Sequence, residues 1–253
     1  MTQALFIITG SSRGLGHAMV SALLARPQVT VIGIARKRSE TLAAIAPAAG
    51  STLVQWQLDL AQPGVAAQHL QDWLRLKDVA AFDQAALVNN AALITPPGPV
   101  ESCGDADLSD ALRVGLEAPV LLCAAFLRAT QDWTGERRIL NISSGLGRRA
   151  MAATAPYCAV KSGLDHFSRA LAMDEALKPR GARVVSLAPG VIDTDMQVQL
   201  RGADPAHFPS HANFVQMKSG GQLASSEQAA ASVLGFLART DFGDDVTADV
   251  RGS

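Results

Sequence analysis

Three side chains in the second half of the chain, Ser144, Tyr157 and Lys161, could together move a proton. Tyr157 is the only tyrosine among the 253 residues, and Lys161 follows four positions later on the same face of a predicted helix. An ammonium group beside a phenol favours the phenolate, so we expect the pKa of Tyr157 to lie below its usual value of about 10. Ser144, at the end of the preceding predicted strand, is placed to donate a hydrogen bond to the same substrate oxygen. The three residues predict acid–base catalysis at a carbonyl group, although a lone tyrosine on a helix can also serve packing alone.

A glycine-rich turn near the amino terminus predicts a site for a dinucleotide. Residues 9–16 read Thr-Gly-Ser-Ser-Arg-Gly-Leu-Gly, follow the apolar run 4–8 and precede a helical pattern that begins at His17. Between a strand and a helix, glycines let the backbone approach a pyrophosphate, and the helix N-terminus favours its charge. The spacing matches the dinucleotide fingerprint only in part, so an ordinary tight turn is the alternative. The predicted phosphate-binding residues are Gly10, Ser11, Ser12, Arg13, Gly14, Leu15 and Gly16.

The residues after the second predicted strand, 29–35, indicate which dinucleotide binds. Arg36, Lys37 and Arg38 stand where the NAD-binding pattern would carry an acidic residue for the ribose 2′-hydroxyl. A guanidinium suits a 2′-phosphate instead, because its donors form a fixed fork. Lys37 and Arg38 are equally consistent with a solvated charged surface. We therefore predict NADPH or NADP as the cofactor, with Arg36 and Arg13 near its 2′-phosphate.

Strands and helices alternate along the whole chain. Continuously apolar runs, which are typical of a parallel sheet covered on both faces, predict strands at 4–8, 29–35, 53–58, 85–88, 138–142, 183–187 and 246–250. Apolar residues at helical spacing predict helices at 17–26, 65–76, 105–130, 156–179 and 226–237. The pattern predicts one α/β domain over residues 1–253, a Rossmann-like doubly wound fold with a seven-stranded parallel sheet. In such a fold the ligand crevice lies at the carboxyl ends of the strands.

Two stretches depart from regular structure. Residues 194–222 contain glycines and prolines with little sustained periodicity, which indicates a mobile substrate flap. The predicted helix 105–130 is interrupted by Gly115 and Pro119, and Pro119 cannot donate the usual hydrogen bond to the Gly115 carbonyl. We therefore expect the helix to kink at this point.

Composition and charge argue against several classes of function. The net charge is −1 and the basic residues are scattered, which argues against binding to nucleic acid or an anionic membrane and favours a small-molecule partner. The longest apolar run, 118–127, is too short to span a bilayer, and we expect a soluble cytoplasmic protein. Three widely spaced cysteines predict neither a disulfide framework nor a metal site. His207 and His211 have a metal-like spacing, but Pro209 separates them, and we predict no bound metal.

These motifs occur in the same order in the short-chain dehydrogenase/reductase family, which the sequence resembles over nearly its whole length. The resemblance implies that Ser144, Tyr157 and Lys161 are the catalytic residues. It also implies cofactor contacts beyond the glycine turn and Arg36. These contacts are Asp59, Leu60, Asn89, Ala91, Tyr157, Lys161, Pro189, Gly190, Ile192 and Thr194.

Within this family the sequence is most similar to sepiapterin reductase and the microbial benzil reductases. That similarity implies an NADPH-dependent carbonyl reductase that acts on a ketone or a vicinal dicarbonyl. The distance of Asp249 from the carboxyl end is similar to that of the pterin-binding aspartate of sepiapterin reductase, which implies that Asp249 contacts substrate together with Ser144 and Tyr157. A solvated carboxylate near the terminus is the alternative. Arg148 and Arg149, which follow Ser144, either border the substrate or are merely solvated.

Two departures from the family pattern leave other functions open. Ala92 replaces the usual glycine after Asn-Asn-Ala, and Gly115 stands in place of the family's fourth catalytic residue, an asparagine. In the family the main-chain carbonyl of that asparagine holds a water beside the lysine, and we expect the kink to free the Gly115 carbonyl for the same water. The alternatives are a non-catalytic NADP-binding sensor and a reductase of the same fold acting on acyl thioesters or sugars. The resemblance also implies a homodimer or homotetramer, in which the helices around Gly115 and Tyr157 pair with their copies.

Overall fold

A single parallel sheet forms the centre of the molecule. The computed structural model of the protein describes residues 3–45 and 47–252. Within these residues seven strands pair in parallel, in the order β3-β2-β1-β4-β5-β6-β7. The strands are β1 Ala4–Thr9, β2 Val29–Ala35, β3 Thr52–Gln57, β4 Gln84–Asn89, β5 Glu136–Ile142, β6 Arg183–Ala188 and β7 Thr247–Asp249. The predicted Rossmann-like doubly wound fold with a seven-stranded parallel sheet is confirmed.

Helices connect the strands and cover both faces of the sheet. They are α1 Gly14–Leu24, α2 Glu40–Ala43, α3 Pro63–Arg75, α4 Asp105–Leu112, α5 Ala118–Ala129, α6 Ala155–Ala176, α7 Asp195–Arg201, α8 His211–Ser219 and α9 Ser226–Leu237. Sequence periodicity placed the long helices within about three residues of their ends. It did not predict α2, α7 or α8, because four to nine residues give too few turns for a period to be recognised.

Two hydrophobic cores lie on opposite faces of the sheet. On one face, α1 and α9 pack against each other and against the side chains of β1, β4, β5 and β6 that point toward them. On the other face, α3, α5 and the carboxyl half of α6 cover the remaining strand side chains. The central strands are therefore buried along nearly their whole length, whereas the edge strands β3 and β7 are half-buried. This explains why the central strands read as continuous apolar runs in the sequence.

The direction of strand addition reverses beside β1. The chain adds β2 and β3 on one side of β1 and then returns to add β4 on the other side, with Ile8 paired to both Gly33 and Val88. Connections that leave a sheet edge in opposite directions open a crevice at the carboxyl ends of the strands. The glycine turn that follows β1 and the Asn90-Ala91 step that follows β4 both border this crevice.

The helical stretch between β4 and β5 contains one wide turn. Residues Arg113–Glu117 form a π-helical turn between α4 and α5, in which the Ala118 N–H donates to the Arg113 carbonyl five residues back. Pro119, at the start of α5, has no N–H for the Gly115 carbonyl. The predicted interruption at Gly115 and Pro119 is confirmed, and it takes the form of an inserted residue rather than a simple kink.

The segment 194–222, expected to be an irregular mobile flap, is largely helical. Its helices α7 and α8 pack together, and Phe208 between them is fully buried with its ring 5.4 Å from that of Phe214. The Asp193 carboxylate binds Lys218 of α8 and lies 3.7 Å from Arg201 of α7. The expectation of irregular structure was wrong, because tertiary packing rather than local periodicity stabilises these short helices.

A substitution at Gly16, in the first turn of α1, tests how tightly the glycine turn is packed. An added Cβ would lie 2.2 Å from the Gly10 carbonyl oxygen and 2.7 Å from Asn90 Nδ2. We expect Gly16→Ala to lower the free energy of unfolding by about 2 kcal/mol. Gly235→Ala is the matched control, since a Cβ there meets nothing within 4 Å inside α9, and it should raise that free energy by about 1 kcal/mol. Equal unfolding midpoints for the two variants in urea would contradict this account.

Candidate active site

A large cleft runs along the carboxyl edge of the sheet. Its volume is about 1210 Å³, which exceeds the range of ordinary small-ligand pockets and leaves room for a dinucleotide beside a substrate. The cleft wall begins at the glycine turn after β1, passes the ends of β4 and β5, and continues over α6 to the loop after β6. The structure thus brings the predicted glycine turn and the predicted catalytic residues to one cavity.

The glycine turn is held against the end of β4. Gly10 and Gly14 have φ values of +69° and +54°, in the left-handed region that side chains disfavour. The Thr9 hydroxyl accepts hydrogen bonds from the main-chain N–H groups of Asn90 and Ala91 at 2.9 and 3.0 Å. The Asn90 amide in turn donates to the Thr9 carbonyl at 2.9 Å. Thr9 and Asn90 therefore fix the cradle. Both belong to motifs noted in the sequence, but neither was among the predicted cofactor contacts.

Most of the predicted cofactor residues lie on the cleft wall. The wall includes Gly10, Ser12, Arg13, Gly14, Leu15, Arg36, Asp59, Leu60, Ala91, Tyr157, Lys161, Pro189, Gly190, Ile192 and Thr194. Ser11, Gly16 and Asn89 lie behind it instead. The Ser11 hydroxyl fills the space beside Gly33, and the Asn89 amide donates to Asn141 at 2.8 Å within the sheet. These three predicted contacts support the wall from behind.

The two arginines assigned to a 2′-phosphate have different surroundings. Arg36 lies on the cleft wall at the end of β2, next to Lys37. Arg13 instead forms a 2.7 Å ion pair with Asp195 at the start of α7, across the mouth of the cleft. Both partners are about 70% exposed, at 69% and 71%, so the pair contributes little stability and can exchange for another anion.

Two buried polar atoms on the cleft wall lack hydrogen-bond partners within the described residues. They are the Ser143 hydroxyl, at the end of β5, and Gln197 Oε1, in α7. Buried polar groups are almost always paired, so a polar ligand or water in the cleft is the expected partner. Together with the glycine cradle, these atoms fit a bound dinucleotide. Gln197 gave no signal in the sequence because α7 was not predicted.

Ser144, Tyr157 and Lys161 converge on the cleft. Tyr157 lies in the first turn of α6, and its phenol lies near enough to the Ser144 side chain for that side chain to lower the pKa of Tyr157. Ser144 begins a single 3₁₀ turn after β5, where its hydroxyl also accepts from the Leu146 N–H at 3.2 Å. Lys161 lies one helical turn beyond Tyr157, and its Nζ donates to the Ile142 carbonyl at 2.7 Å. The predicted catalytic group is therefore assembled in three dimensions.

Burial, however, shifts the pKa of Tyr157 in the direction opposite to the one expected from the sequence. The residue is 8% exposed, and its burial raises the pKa to about 12, against a smaller lowering by the hydrogen bond to Ser144. The expected lowering by Lys161 does not appear, since its Nζ lies 5.6 Å from the ring centroid and bonds to Ile142. The prediction was wrong for the protein alone, because spacing on a helix carries no information about desolvation.

Lys161 itself carries a lowered pKa. Its side chain is 2% exposed, and burial lowers the pKa from 10.5 to about 8, while the nearby carboxylate of Asp165 opposes this change. A buried ammonium with a pKa near working pH exchanges protons readily. Lys161 is thus suited to relay a proton as well as to hold a charge.

Gly115 contacts the catalytic helix directly. A Cβ at this position would lie 2.5 Å from Cγ1 of Val160, the residue before Lys161. An asparagine could therefore not occupy position 115 unless Val160 moved. The close contact explains by packing why a residue without a side chain stands at position 115. The water between the Gly115 carbonyl and Lys161 stays a prediction.

The cleft wall also carries apolar side chains outside the predicted cofactor contacts. They include Leu93, Ile94, Leu146, Met151, Phe214 and Met217. Arg149 also lies on this wall, with its guanidinium against Gly145, whereas Arg148 is paired with Asp165 outside the cleft. These side chains suit contact with the apolar part of a substrate.

The predicted substrate residue Asp249 does not lie on the cleft wall. Arg251 lies there, and its guanidinium binds the Asp249 carboxylate through two bonds of 2.9 and 2.6 Å. This ion pair lowers the pKa of Asp249 to about 2. The carboxylate predicted to bind substrate is therefore bound by Arg251, which sequence reasoning did not single out.

Within the described residues there is no group of three or more His, Cys, Asp or Glu side chains arranged to hold a metal ion. His207 lies beside Asp204, and His211 Nε2 lies 2.9 Å from the Arg201 carbonyl. Among the helices of the described residues, none is both long enough and apolar enough to cross a membrane.

Known proteins with similar sequences and structures agree with this geometry. The sequence pattern of the short chain dehydrogenase family matches residues 4–204. A benzil reductase ((S)-benzoin forming) from Bacillus cereus is 30% identical over 236 residues, covering 93% of this chain and 94% of the relative. The sepiapterin reductase of Meriones unguiculatus is 28% identical over 251 residues, covering 94% and 93%. A crystal structure of a putative 2-deoxy-D-gluconate 3-dehydrogenase from Agrobacterium tumefaciens with bound NADP has a TM-score of 0.79 at 25% identity, covering 99% of this chain and 95% of the other.

The buried ammonium of Lys161 makes stability depend on pH. Because its pKa is about 8 in the folded protein and 10.5 in the unfolded chain, the unfolded chain binds more protons between these pH values. The contribution of Lys161 to the free energy of unfolding should therefore rise with pH across this window, by up to about 3 kcal/mol. It is read as the difference between the wild-type protein and Lys161→Met, because burial raises the pKa of Cys123 from 9.0 to about 12 and acts in the opposite direction above pH 9 in both proteins. Lys161→Met should lack this rise. Urea unfolding of both proteins between pH 7 and pH 10 measures it, and parallel pH profiles would contradict the assignment.

Proposed function

The chain belongs to the short-chain dehydrogenase family, and on that basis we propose that it is an NADPH-dependent carbonyl reductase acting on a ketone or vicinal dicarbonyl. The observation that carries the proposal is the convergence of Ser144, Tyr157 and Lys161 on the cleft that begins at the glycine turn. The apolar side chains on the cleft wall and the similarity to benzil reductase and sepiapterin reductase support a substrate of the benzil or sepiapterin kind.

The residues that would hold the cofactor follow from their places on the wall. The N–H groups of the glycine turn at the start of α1 would bind the pyrophosphate. Arg36 would bind the 2′-phosphate, with Arg13 joining it by exchanging Asp195 for the ligand. Asp59 and Leu60 lie where the adenine would bind. The loop after β6 lies near Tyr157, where it would hold the nicotinamide through Pro189, Gly190, Ile192 and Thr194. Bound NADPH supplies a hydride to the carbonyl carbon of the substrate.

The chain's own side chains supply the proton. Ser144 donates a hydrogen bond that orients the carbonyl oxygen, and Tyr157 gives its phenolic proton to that oxygen, which completes the alcohol. A positive charge on Lys161 stabilises the phenolate that remains. The high pKa of the buried phenol keeps Tyr157 protonated, as a proton donor must be before the reaction.

The oligomer expected from the family resemblance also remains a proposal. Leu112 in α4, Met173 in α6 and Leu177 just after α6 are large apolar side chains that are strongly exposed in the single chain. Exposed apolar patches commonly mark contacts between proteins. We propose that these helices pair with their copies in a homodimer or homotetramer.

Tyr157→Phe tests the proton donor. The variant keeps the ring and its packing but removes the hydroxyl, so kcat for NADPH oxidation with benzil or 1-phenyl-1,2-propanedione should fall by about 10²- to 10⁴-fold. The dissociation constant for NADPH, measured by fluorescence titration, should change by less than about threefold. Tight NADPH binding without turnover of any diketone by the wild-type protein would favour the non-catalytic sensor instead.

Arg36→Asp tests the choice of cofactor. Loss of a charge-assisted bond and gain of repulsion should lower kcat/KM for NADPH by about 10- to 100-fold and make NADH the better cofactor. Arg38→Asp is the matched control, since it makes the same charge change two residues away at a side chain that does not line the cleft. If NADPH preference survives in Arg36→Asp, or is lost equally in the control, the assignment of Arg36 is wrong.

A further inference from the structure

A buried carboxylate lies behind the catalytic residues. Asp165 is in α6, one helical turn beyond Lys161, and is 2% exposed. It does not line the cleft, so it touches neither a cofactor nor a substrate bound there. An ionised carboxylate is costly to bury, and it persists in a fold only when its partners offset that cost. The partners of Asp165 therefore show what it does.

Two of those partners lie on other elements, and one of the two reaches a third. The Ser186 hydroxyl in β6 donates to Asp165 Oδ1 at 2.6 Å. The Arg148 Nε, in the loop after β5, donates to Asp165 Oδ2 at 3.3 Å. Arg148 Nη2 reaches further, to the Ala248 carbonyl of β7 at 2.9 Å. Asp165 thus connects α6 directly to β6 and to the loop after β5, and through Arg148 to β7.

The same loop carries Ser144. Between Ser144 and Arg148 the chain passes so close to α6 that a Cβ on Gly147 would lie 2.8 Å from Asp165 Oδ2 and 3.0 Å from the Lys161 carbonyl oxygen. The Ser162 hydroxyl donates to the Gly147 carbonyl at 2.7 Å. The loop that presents Ser144 is therefore fastened to the helix that presents Tyr157 and Lys161.

Asp165 and Arg148 also place opposite charges near the lysine. Other elements packed against α6 carry further charged groups. These are Asp110 in α4, Arg113 and Glu117 in the wide turn, Arg149 after Arg148, Arg183 in β6 and Asp249 in β7. Among all these groups Asp165 is the one that counters the effect of burial on the pKa of Lys161. Arg148, with its side chain 32% exposed, partly neutralises that carboxylate.

We propose that Asp165 is a positioning residue, which holds the Ser144 loop against α6 through Arg148 and keeps an ammonium group at Lys161 beside Tyr157. The part that concerns turnover rests on the proposed function, whereas the part that concerns the charge of Lys161 does not. A merely structural role would predict the first effect without the second.

The charge of Lys161 can be followed without any activity. The chain has five lysines, so ¹³Cε-lysine labelling gives a small set of NMR signals, and Lys161→Met identifies the one of interest. In the wild-type protein that signal should titrate near pH 8. Asp165→Asn should shift the midpoint down by about one unit, because the opposing negative charge is lost. Arg148→Met should shift it up, because the Asp165 charge is then left uncompensated.

Measurements of turnover test whether Asp165 holds the Ser144 loop against α6. With a diketone and NADPH, both variants should lose about 10- to 100-fold in kcat, since each releases the Ser144 loop. Arg148→Lys keeps the positive charge but loses the guanidinium donors that bind Asp165 and Ala248 together. It should therefore leave the Lys161 midpoint unchanged while still lowering kcat. If Asp165→Asn does not fold, Arg148→Met still tests the upward shift of the Lys161 midpoint and Arg148→Lys its absence, because Arg148 is partly exposed.

Two exposed residues of the same helix provide controls. Asp174→Asn and Arg169→Met make the same charge changes on α6 at side chains outside both the cleft and this network. Neither should move the Lys161 midpoint or kcat. Equal midpoints in wild type, Asp165→Asn and Arg148→Met would overturn the proposal. Opposite shifts in a protein that reduces no diketone would support the role of Asp165 in setting the charge and refute the proposed substrate class.

Discussion

Burial of the Lys161 ammonium is the constraint on which the active site depends. A charged amine placed at 2% exposure needs a fixed partner, and the Ile142 carbonyl at the end of β5 supplies it. The bond joins α6 to the central strand that leads directly to Ser143 and Ser144. Tyr157, one turn earlier on α6, is thereby set opposite Ser144. The cost of this buried charge appears in the lowered pKa of Lys161.

The sheet gathers the remaining parts of the site. Because all strands run parallel, their carboxyl ends meet at one edge, and the loops after β1, β4, β5 and β6 all reach the same cleft. Close main-chain contacts are what allow these loops to converge. Gly16 packs against Gly10 within the glycine turn, and Gly115 packs against Val160, which places the wide turn between α4 and α5 against α6.

Electrostatics in this site are decided by competition between burial and pairing. At Tyr157 burial prevails and raises the pKa, which suits a proton donor. At Lys161 burial also prevails, although Asp165 opposes it. At Asp249, near the surface, pairing with Arg251 prevails and lowers the pKa. The direction of each pKa shift therefore depends on how much water remains around the ionisable group and on whether an opposite charge pairs with it.

The sequence by itself determined the fold class, the order of the strands along the chain, the glycine turn and the Ser144, Tyr157 and Lys161 set, because periodicity, turn residues and helical spacing are local properties. It also determined the break at Pro119, since a missing N–H is a property of one residue. Only the tertiary structure decided that 194–222 forms α7 and α8, that Arg251 binds Asp249, and that Tyr157 has a raised pKa. Desolvation depends on residues distant in the chain, which the pairing of seven strands brings together and no local pattern carries. Asp249 and Arg251 are only two positions apart, and their pair depends on the backbone after β7, where the Arg251 N–H also donates to Asp249 Oδ1 at 3.0 Å.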